Sequence, residues 1–481
     1  MDIHSAPDCF KMNFSIKNTC FISSILIGLI VLVGLTYINR FPTGDDAWFA
    51  EQSYWFQKQG IIRSEFFRGI LGWEKQILVS HKLFLIFGAG LIKIFGFGLP
   101  TVQLVGFVFF LVLLGELTSY IYQDTKENRT KYIILLLTLV FSNRLLIRLS
   151  FENRPELMVA ALGFGSFLYV KSSQINLRKA AYAGLLAGMA LLCHLNGVIY
   201  LIAGAISYLY GRRYKEFVLF SIIGGLTSLL YFVDVIQAQN GFSIWYYQFR
   251  HDPAVQQAFG WQSKLIVMLT YPKLFIESPE QAALTLLFIF MLWQQRKFIR
   301  QLPLILTIYS ATLFVSFWII TKHGSGSYMP LFMPFMFILI YELYKRQPFI
   351  NWGLRIVMLA YFIIGIYGTI EIIYKDYVLG SFPTAYKNLR SHIPKSSTGF
   401  VPLTFFFDEY EQYDRLLCHE NFRDYSDSVN KLPDWAIDHQ VNFMVMDYVY
   451  RPESFYPEPG TKKLGAYQLS YFDGRFAVYI K

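Results

Sequence analysis

The chain has 481 residues, of which 54% are hydrophobic and only 16% are charged, and its mean hydropathy is +0.37. This composition excludes a soluble globular protein, which would carry more charge. The formal net charge of +10 does not indicate a nucleic-acid partner, because the cations stand in short groups between apolar runs, where they fix topology. We therefore expect no nucleic acid as a partner, and a polytopic α-helical protein in a lipid bilayer.

Eleven apolar runs predict membrane-spanning helices. They lie at 21–38, 101–121, 131–147, 156–170, 180–194, 197–210, 216–236, 281–294, 303–320, 328–343 and 353–373. No small-residue cleavage pattern follows the first run, so we interpret it as a span rather than a signal peptide.

A further apolar stretch, 82–99, is expected to lie at the outer interface instead of crossing. It carries Lys93 in its middle and four glycines. If it does not cross, five basic connections all fall on the inner side, as the positive-inside rule requires. These connections lie at 126–131, 171–179, 212–215, 296–300 and 345–355. The sequence thus predicts a cytoplasmic N-terminus, in the plasma (inner) membrane if the protein is bacterial.

Two domains are expected. Residues 1–373 form the transmembrane domain, with a first outer loop at 39–100 and a second at 237–280. Residues 374–481 form a small extracytoplasmic α/β domain. The tail has strand-like stretches, and Asp473-Gly474 predicts a hairpin turn.

Two adjacent carboxylates, Asp45 and Asp46, follow the first span directly. Carboxylates are costly to desolvate at a membrane boundary, so we expect them in water or in a polar cavity with partners. The alternative is that Asp45 or Asp46 caps a helix that runs to Gly60. A capping residue can also be catalytic.

The motif Asn153-Arg154-Pro155-Glu156 begins the fourth span on the outer side. Pro155 and Glu156 suit a first helical turn, which is the simpler interpretation. Cations on this side, however, run against the positive-inside trend. They indicate a site for an anionic group such as a lipid phosphate, paired with a reactive carboxylate.

Further polar residues are expected at outer ends. They are His81, Lys82, His194, Lys322 and Tyr328. Histidines in such places are usually interfacial hydrogen-bonding groups. No HxxxH spacing supports a metal site, so none is predicted.

In their order, these features resemble the GT-C superfamily of polyprenyl-phosphate-sugar glycosyltransferases, in the branch of the protein O-mannosyltransferases and lipid A aminoarabinose transferases. The similar stretches are FPTGDDAWFAEQSYWFQKQG, HKLFLIFGAGLIKIFGFGLPTVQL, ENRPELMVAALGFGSFLYV, GLLAGMALLCHLNGVIYL and GSYMPLFMPFMFILI. The resemblance covers about residues 20–345. Asp46 stands where the family more often has Glu, Glu156 stands where many members have Asp, and the usual Pro-Pro of the interfacial helix is missing.

The resemblance implies an inverting transferase that moves a sugar from a polyprenyl-phosphate donor to an extracytoplasmic acceptor, which is a lipid, a glycan or a protein. It implies Asp45 as the general base, with Asp46 and Glu156 as further catalytic carboxylates. The phosphate would be held by Arg154, His194, Lys82, His81, Lys322 and Tyr328. No cofactor is expected to be obligatory, although a divalent metal is compatible with the site.

Two other functions remain as alternatives. A transporter or flippase of lipid-linked sugars would bind the same donor without reacting, but transporters usually show internal repeats and polar residues near the midplane. Here the polar residues cluster at outer ends, which favours an enzyme. A scaffold whose function lies in the tail would leave the charged outer connections unexplained.

Overall fold

The computed structural model describes residues 16–38, 40–172, 176–253, 259–321, 325–346, 351–379, 382–450 and 452–481. These residues are mainly helical. The helices of the first 379 residues are α1 Ile16–Ile38, α2 Gly44–Gln59, α3 Lys82–Phe95, α4 Leu99–Asp124, α5 Arg129–Phe141, α6 Arg144–Leu149, α7 Glu156–Val170, α8 Leu177–Cys193, α9 Val198–Tyr210, α10 Tyr214–Leu229, α11 Val233–Gln237, α12 Gly241–His251, α13 Trp261–Thr270, α14 Pro279–Gln294, α15 Leu304–Ile320, α16 Met333–Arg346 and α17 Trp352–Leu379.

All eleven predicted runs are helical, but several helices are shorter than a full span. In the described part of the chain, three helices are long and apolar enough to cross a bilayer: Leu99–Asp124, Tyr214–Gln237 and Trp352–Val378. A fourth crossing is formed if Trp261–Phe275 and Pro279–Gln294, bent by 87° at their junction, count as one. The run 131–147 divides into α5 and α6 because Asn143 caps a new helix. The number of eleven crossings therefore stays a prediction.

Helix α7 lies at the centre of the bundle. Its residues 156–167 are all buried, and it packs against α4, α8 and α9. A helix that is apolar on all sides can only be stable when it is surrounded by other helices or lipid. Because the helix is enclosed by its neighbours, its first residue, Glu156, is held in place, and so is the motif that precedes it.

Helix α3 corresponds to the predicted interfacial segment. Its apolar side chains Ile86, Ile94 and Phe95 are exposed, while its other face packs on α2 and α4. Gly88 permits the contact with α2, because a Cβ at this position would lie 2.7 Å from Ser53 Oγ. An amphipathic helix with bulky apolar residues on its open face is suited to an interface.

The tail forms an α/β domain, as predicted. Its elements are helices α18 Phe382–Leu389, α19 Phe406–Glu409, α20 His419–Tyr425 and α21 Leu432–Asp438, and strands β1 Thr398–Val401, β2 Arg415–Cys418, β3 Phe443–Asp447, β4 Lys463–Leu464, β5 Tyr467–Phe472 and β6 Phe476–Ile480. The sheet order is β2-β1-β3-β6-β5-β4. Strands β2 and β3 run parallel to β1, and the remaining pairs are antiparallel. The hairpin of β5 and β6 turns at Asp473-Gly474, and Gly474 has φ +92°, which only glycine adopts without strain.

The tail domain docks on α2 and on the segment before it. Tyr450 donates its hydroxyl to the Pro42 carbonyl at 2.6 Å, and its ring lies 4.3 Å from that of Phe41. At the other end of α2, Tyr54 donates to Glu411 at 2.9 Å. The interface also contains a shared apolar core, so the tail domain fixes the position of α2 instead of hanging from a linker.

Candidate active site

The segment Pro42–Asp46 begins α2 with a capping box. The N-cap is Thr43 and not Asp45 or Asp46, but the expected capping is confirmed in part, because Asp46 is the second member of the capping box. Asp46 instead occupies the third helical position: it accepts the Thr43 backbone N–H at 2.6 Å, and Thr43 Oγ1 accepts the Asp46 N–H at 3.4 Å. The helix ends before Gly60, as predicted. The helix begins after Thr43 because Thr43 and Asp46 each accept the backbone N–H of the other, so two N–H groups that the helix start leaves without partners are satisfied.

Asp46 also ties this segment to two other parts of the chain. Arg40 donates to its Oδ2 at 2.5 Å, and the Asn153 N–H donates to its Oδ1 at 2.6 Å. The Asn153 side chain donates a further bond to the Asp46 backbone carbonyl at 3.2 Å. Asp46 is fully buried, so these donors are what keeps its charge stable there. This geometry suits a residue that positions the site.

Arg154 joins the two other predicted carboxylates. Its Nη1 donates to Asp45, and its Nη2 donates to Glu156 at 2.6 Å, supported by Nε. The side chain of Glu156 is only 3% exposed, whereas that of Asp45 is 48% exposed. The Arg154–Glu156 pair is therefore enclosed, and the Arg154–Asp45 pair faces solvent. We call Asp45, Arg154 and Glu156 the ion triad.

A glycine brings the motif close to α4. A Cβ at Gly106 would lie 2.7 Å from the carbonyl oxygens of Leu149 and Glu152. Only a residue without a side chain allows the backbone of this loop to rest directly on the helix. The loop that carries Asn153 and Arg154 is thus held from both sides, by α4 and by Asp46.

Two histidines lie beside the ion triad. The ring of His194, at the end of α8, stacks on that of His81 with centroids 4.5 Å apart. His194 Nδ1 accepts the Asn196 N–H at 3.0 Å, so a neutral His194 carries its proton on Nε2. Burial, with a contribution from the Arg154 cation and against the pull of Glu156, lowers the pKa of His194 to about 4. Burial first, then His194 and Arg154, lowers the pKa of His81 well below its usual range. Both rings are neutral at neutral pH and act as hydrogen-bonding groups, not as cations.

Tyr328 completes this group. Its ring lies 5.5 Å from that of His194, in the 3₁₀ turn Gly326–Leu331. Burial, reinforced by the nearby Glu156 carboxylate, raises the pKa of Tyr328 to about 12. The phenol therefore keeps its proton and can donate it in a hydrogen bond.

The two predicted lysines do not contribute in the same way. Lys82 forms an ion pair with Asp234 of α11 and donates to the Tyr231 carbonyl at 2.5 Å. A buried ammonium needs such partners, and they direct Lys82 to the α10–α11 junction. Lys322 falls outside the residues that the structure describes.

The other charges of the outer connection have partners of their own. Arg144 pairs with Glu371 at 3.2 Å, and Arg148 pairs with Glu152 at 3.4 Å. The sequence indicated neither these partners nor the roles of Arg40 and Asn153. For Arg40 a signal existed, because this cation lies only six residues before Asp46.

Within the residues that the structure describes, no group of three His, Cys, Asp or Glu side chains is arranged so that it could hold a metal ion. The expectation that no metal is obligatory, although a divalent metal is compatible with the site, stays a prediction.

The comparisons with known proteins concern the fold. No protein-family model and no curated protein sequence matches the chain. Among solved structures, ArnT from Cupriavidus metallidurans in the apo state is 12% identical with a TM-score of 0.58, over 96% of this chain and 98% of that chain. The same protein bound to undecaprenyl phosphate is 13% identical with a TM-score of 0.56, over 96% and 98%.

A second similar structure is the oligosaccharyltransferase AglB from Archaeoglobus fulgidus, in complex with an inhibitory peptide and a dolichol-phosphate. It is 11% identical with a TM-score of 0.54, over 90% of this chain and 70% of that chain. Both proteins have the GT-C fold, so the predicted resemblance is confirmed in three dimensions. The chain is an integral membrane protein with the GT-C fold.

Proposed function

We propose that this protein is a membrane glycosyltransferase that moves a hexosyl or pentosyl group from a polyprenyl-phosphate donor to an extracytoplasmic acceptor, with inversion. The observation that carries the proposal is the ion triad, in which one guanidinium joins a buried and a half-exposed carboxylate. The GT-C fold supports it, as does the lipid phosphate bound in the two similar proteins named above.

The unequal burial of the two carboxylates suggests an exchange at Arg154. Glu156 is enclosed and stays paired, which keeps the guanidinium oriented. Asp45 is half exposed, so a donor phosphate can replace it at Nη1. A planar guanidinium holds a phosphate through two parallel hydrogen bonds, which favours this replacement. The exchange frees the Asp45 carboxylate from Arg154 when the donor arrives.

The released Asp45 is suited to act as the general base. In the proposed step the acceptor hydroxyl oxygen attacks the anomeric carbon, and the bond from that carbon to the phosphate oxygen breaks. The bonding electrons leave on the phosphate, where Arg154 stabilises the charge, and the hydroxyl proton passes to Asp45. A single displacement of this kind inverts the anomeric configuration.

The neutral groups around the triad would support the leaving phosphate. His194 presents Nε2–H, and Tyr328 keeps its phenolic proton at neutral pH. Neutral donors strengthen their bonds to an oxygen as its negative charge grows. They add no positive charge that would bind the donor too firmly in its ground state.

The test is release of radiolabelled sugar from extracted polyprenyl-phosphate donors by the purified protein. Asp45→Asn is expected to lower the rate by about a hundredfold to ten-thousandfold, the usual effect of losing a general base. Asp427→Asn, which changes an exposed aspartate of the tail domain, is the matched control and should retain the full rate.

Two results would contradict the proposal. If the wild-type protein binds labelled donor but releases no sugar with any acceptor extract, a transporter becomes the better interpretation. If Asp45→Asn keeps a near-normal rate, Asp45 is not the base.

A further inference from the structure

We infer that a cavity between α2, the end of α3 and the tail domain binds the phosphate headgroup of an anionic lipid, in the membrane leaflet beside the tail domain. The cavity has a volume of about 450 Å³. The charged and amide side chains that line it are those of Gln57, Lys58, Lys93, Glu411 and Gln412. The cavity is separate from the ion triad, none of whose three residues lines it.

The cavity lies at the level where the chain enters the membrane. Gly96 and Phe97 line it, and α4, which is long and apolar enough to cross a bilayer, begins at Leu99. The last turn of α3 exposes Ile94 and Phe95. Apolar side chains on the open face of an interfacial helix are suited to contact with lipid chains. A lipid beside Ile94 and Phe95 can therefore place its headgroup in the cavity.

The charges on the cavity wall favour an anion. Glu411 accepts the Tyr54 hydroxyl at 2.9 Å and pairs with Lys58 at 3.2 Å. These two partners lower the pKa of Glu411, so it stays an anion whose charge Lys58 compensates. Lys93 is exposed, and in the described part of the chain it forms an ion pair with no carboxylate. One cation is thus available at the membrane surface, where a lysine attracts anionic headgroups.

The remaining wall suits the uncharged part of a headgroup. Gln57 and Gln412 each bring an amide, which can both donate hydrogen bonds to hydroxyl groups and accept them. The rings of Phe97 and Phe407 lie nearly parallel, at 12°, with centroids 6.0 Å apart, and they provide apolar contact. At about 30 Å³ for each water in the liquid, the cavity corresponds to about fifteen waters. This is room for a phosphate together with a small polyol, as in phosphatidylglycerol.

A lipid in this cavity would join three parts of the fold. Gln57 belongs to α2, Lys93 to α3 and Gln412 to the tail domain. A ligand that binds only when these parts are assembled stabilises the assembled state. An anionic lipid would therefore strengthen the docking of the tail domain on the membrane domain.

The experiment measures lipid selectivity beside the cavity, with the purified full-length protein in bilayers that mix phosphatidylglycerol and phosphatidylcholine of the same chain length. A fluorophore on Ile94→Cys, in a background without native cysteines, is quenched by phosphatidylglycerol that is brominated in its chains. Quenching as a function of mole fraction gives the binding constant of phosphatidylglycerol relative to phosphatidylcholine. We expect a preference of about fivefold, which is about 1 kcal/mol at 1.4 kcal/mol per decade.

Three further substitutions, each made in the labelled protein, test the cavity itself. Lys93→Gln removes the available cation, and Gln412→Trp fills the cavity from an exposed position of the tail domain. Each should reduce the preference to about onefold. Lys75→Gln, which changes an exposed lysine of the same outer loop that does not line the cavity, is the matched control and should keep the full preference. Thermal unfolding of each variant shows whether it is folded.

Four results would overturn the inference. They are equal affinity for the two lipids in the otherwise unsubstituted labelled protein, a preference that survives in folded Lys93→Gln or Gln412→Trp, a loss of preference in Lys75→Gln, and relief of quenching by soluble glycerol 1-phosphate. The last result would show that the headgroup binds without its chains, so the ligand would be a free phosphate ester instead of a membrane lipid.

Discussion

Asn153 donates its backbone N–H to Asp46 at 2.6 Å, across 107 residues of the chain. This bond joins the loop after the first span to the loop before α7, and each loop carries one end of the ion triad. Asp45 and Arg154 therefore meet because their immediate neighbours are bonded to each other. The buried carboxylate sets the geometry, and the half-exposed carboxylate next to it is left available for chemistry.

This division of roles predicts different effects for the two aspartates. Asp46→Asn weakens the bond to Arg40 and leaves a buried cation without its partner, so we expect a loss of about 3 kcal/mol of folding free energy. Asp45→Asn alters a half-exposed group and should change the thermal midpoint little. Unfolding of both variants in detergent is the measurement. A stable Asp46→Asn variant without activity, beside an active Asp45→Asn, would exchange their roles.

Arg154→Ala should raise the apparent donor constant about tenfold or more, because charge-assisted bonds contribute about 1.5 to 3 kcal/mol each and 1.4 kcal/mol is one decade. Arg154→Lys should recover only part of the loss, since a point charge does not reproduce a planar fork. Donor titration of the sugar-release rate is the measurement, and Arg148→Ala, which removes the partner of Glu152, is the control. A lower thermal midpoint with an unchanged donor constant would make Arg154 a structural bridge.

We expect the free energy of unfolding to depend on pH through the ionisation of Glu51. This buried carboxylate accepts bonds from Ser64 at 2.5 Å and from the Phe66 N–H at 3.1 Å, yet burial outweighs them and raises its pKa to about 7. The folded state thus binds the proton more tightly than the unfolded state. Its contribution is complete below about pH 4.5 and is lost as the pH rises through about 7.

Across this pH range the free energy of unfolding should fall by about 3 kcal/mol, because each unit of the pKa difference between the folded and unfolded states corresponds to about 1.36 kcal/mol. Denaturant unfolding of the wild type and of Glu51→Gln from about pH 5 to pH 8 is the measurement. The variant should show a flatter profile than the wild type, while Glu458→Gln should follow the wild type. Parallel profiles for all three proteins would exclude Glu51 as the source.

The predicted orientation needs a different probe from the native tail cysteine. Cys418 is fully buried and its Sγ lies 3.5 Å from the Phe66 carbonyl, so it would resist labelling on either side of the membrane. Lys297→Cys and Asp427→Cys both place a thiol at an exposed position. In a background without native cysteines, an impermeant maleimide added to intact cells should label position 427 and spare position 297. The reverse pattern would invert the topology.

The sequence by itself determined the membrane class, the helical runs, the separate helix that begins at Lys82 and the α/β tail, because these follow from local hydropathy and periodicity. It also identified Asp45, Arg154, Glu156 and the two histidines, since charged and polar groups beside apolar helices are costly and therefore conspicuous.

Only the tertiary structure decided which carboxylate is buried and which is available. Asp45 and Asp46 are adjacent and chemically identical, and their roles separate only when Asn153, 107 residues away, joins the nearby Arg40 in binding Asp46. The same holds for Lys82, whose partner Asp234 lies 152 residues away. Contacts of this range depend on how the helices pack, which local pattern does not encode.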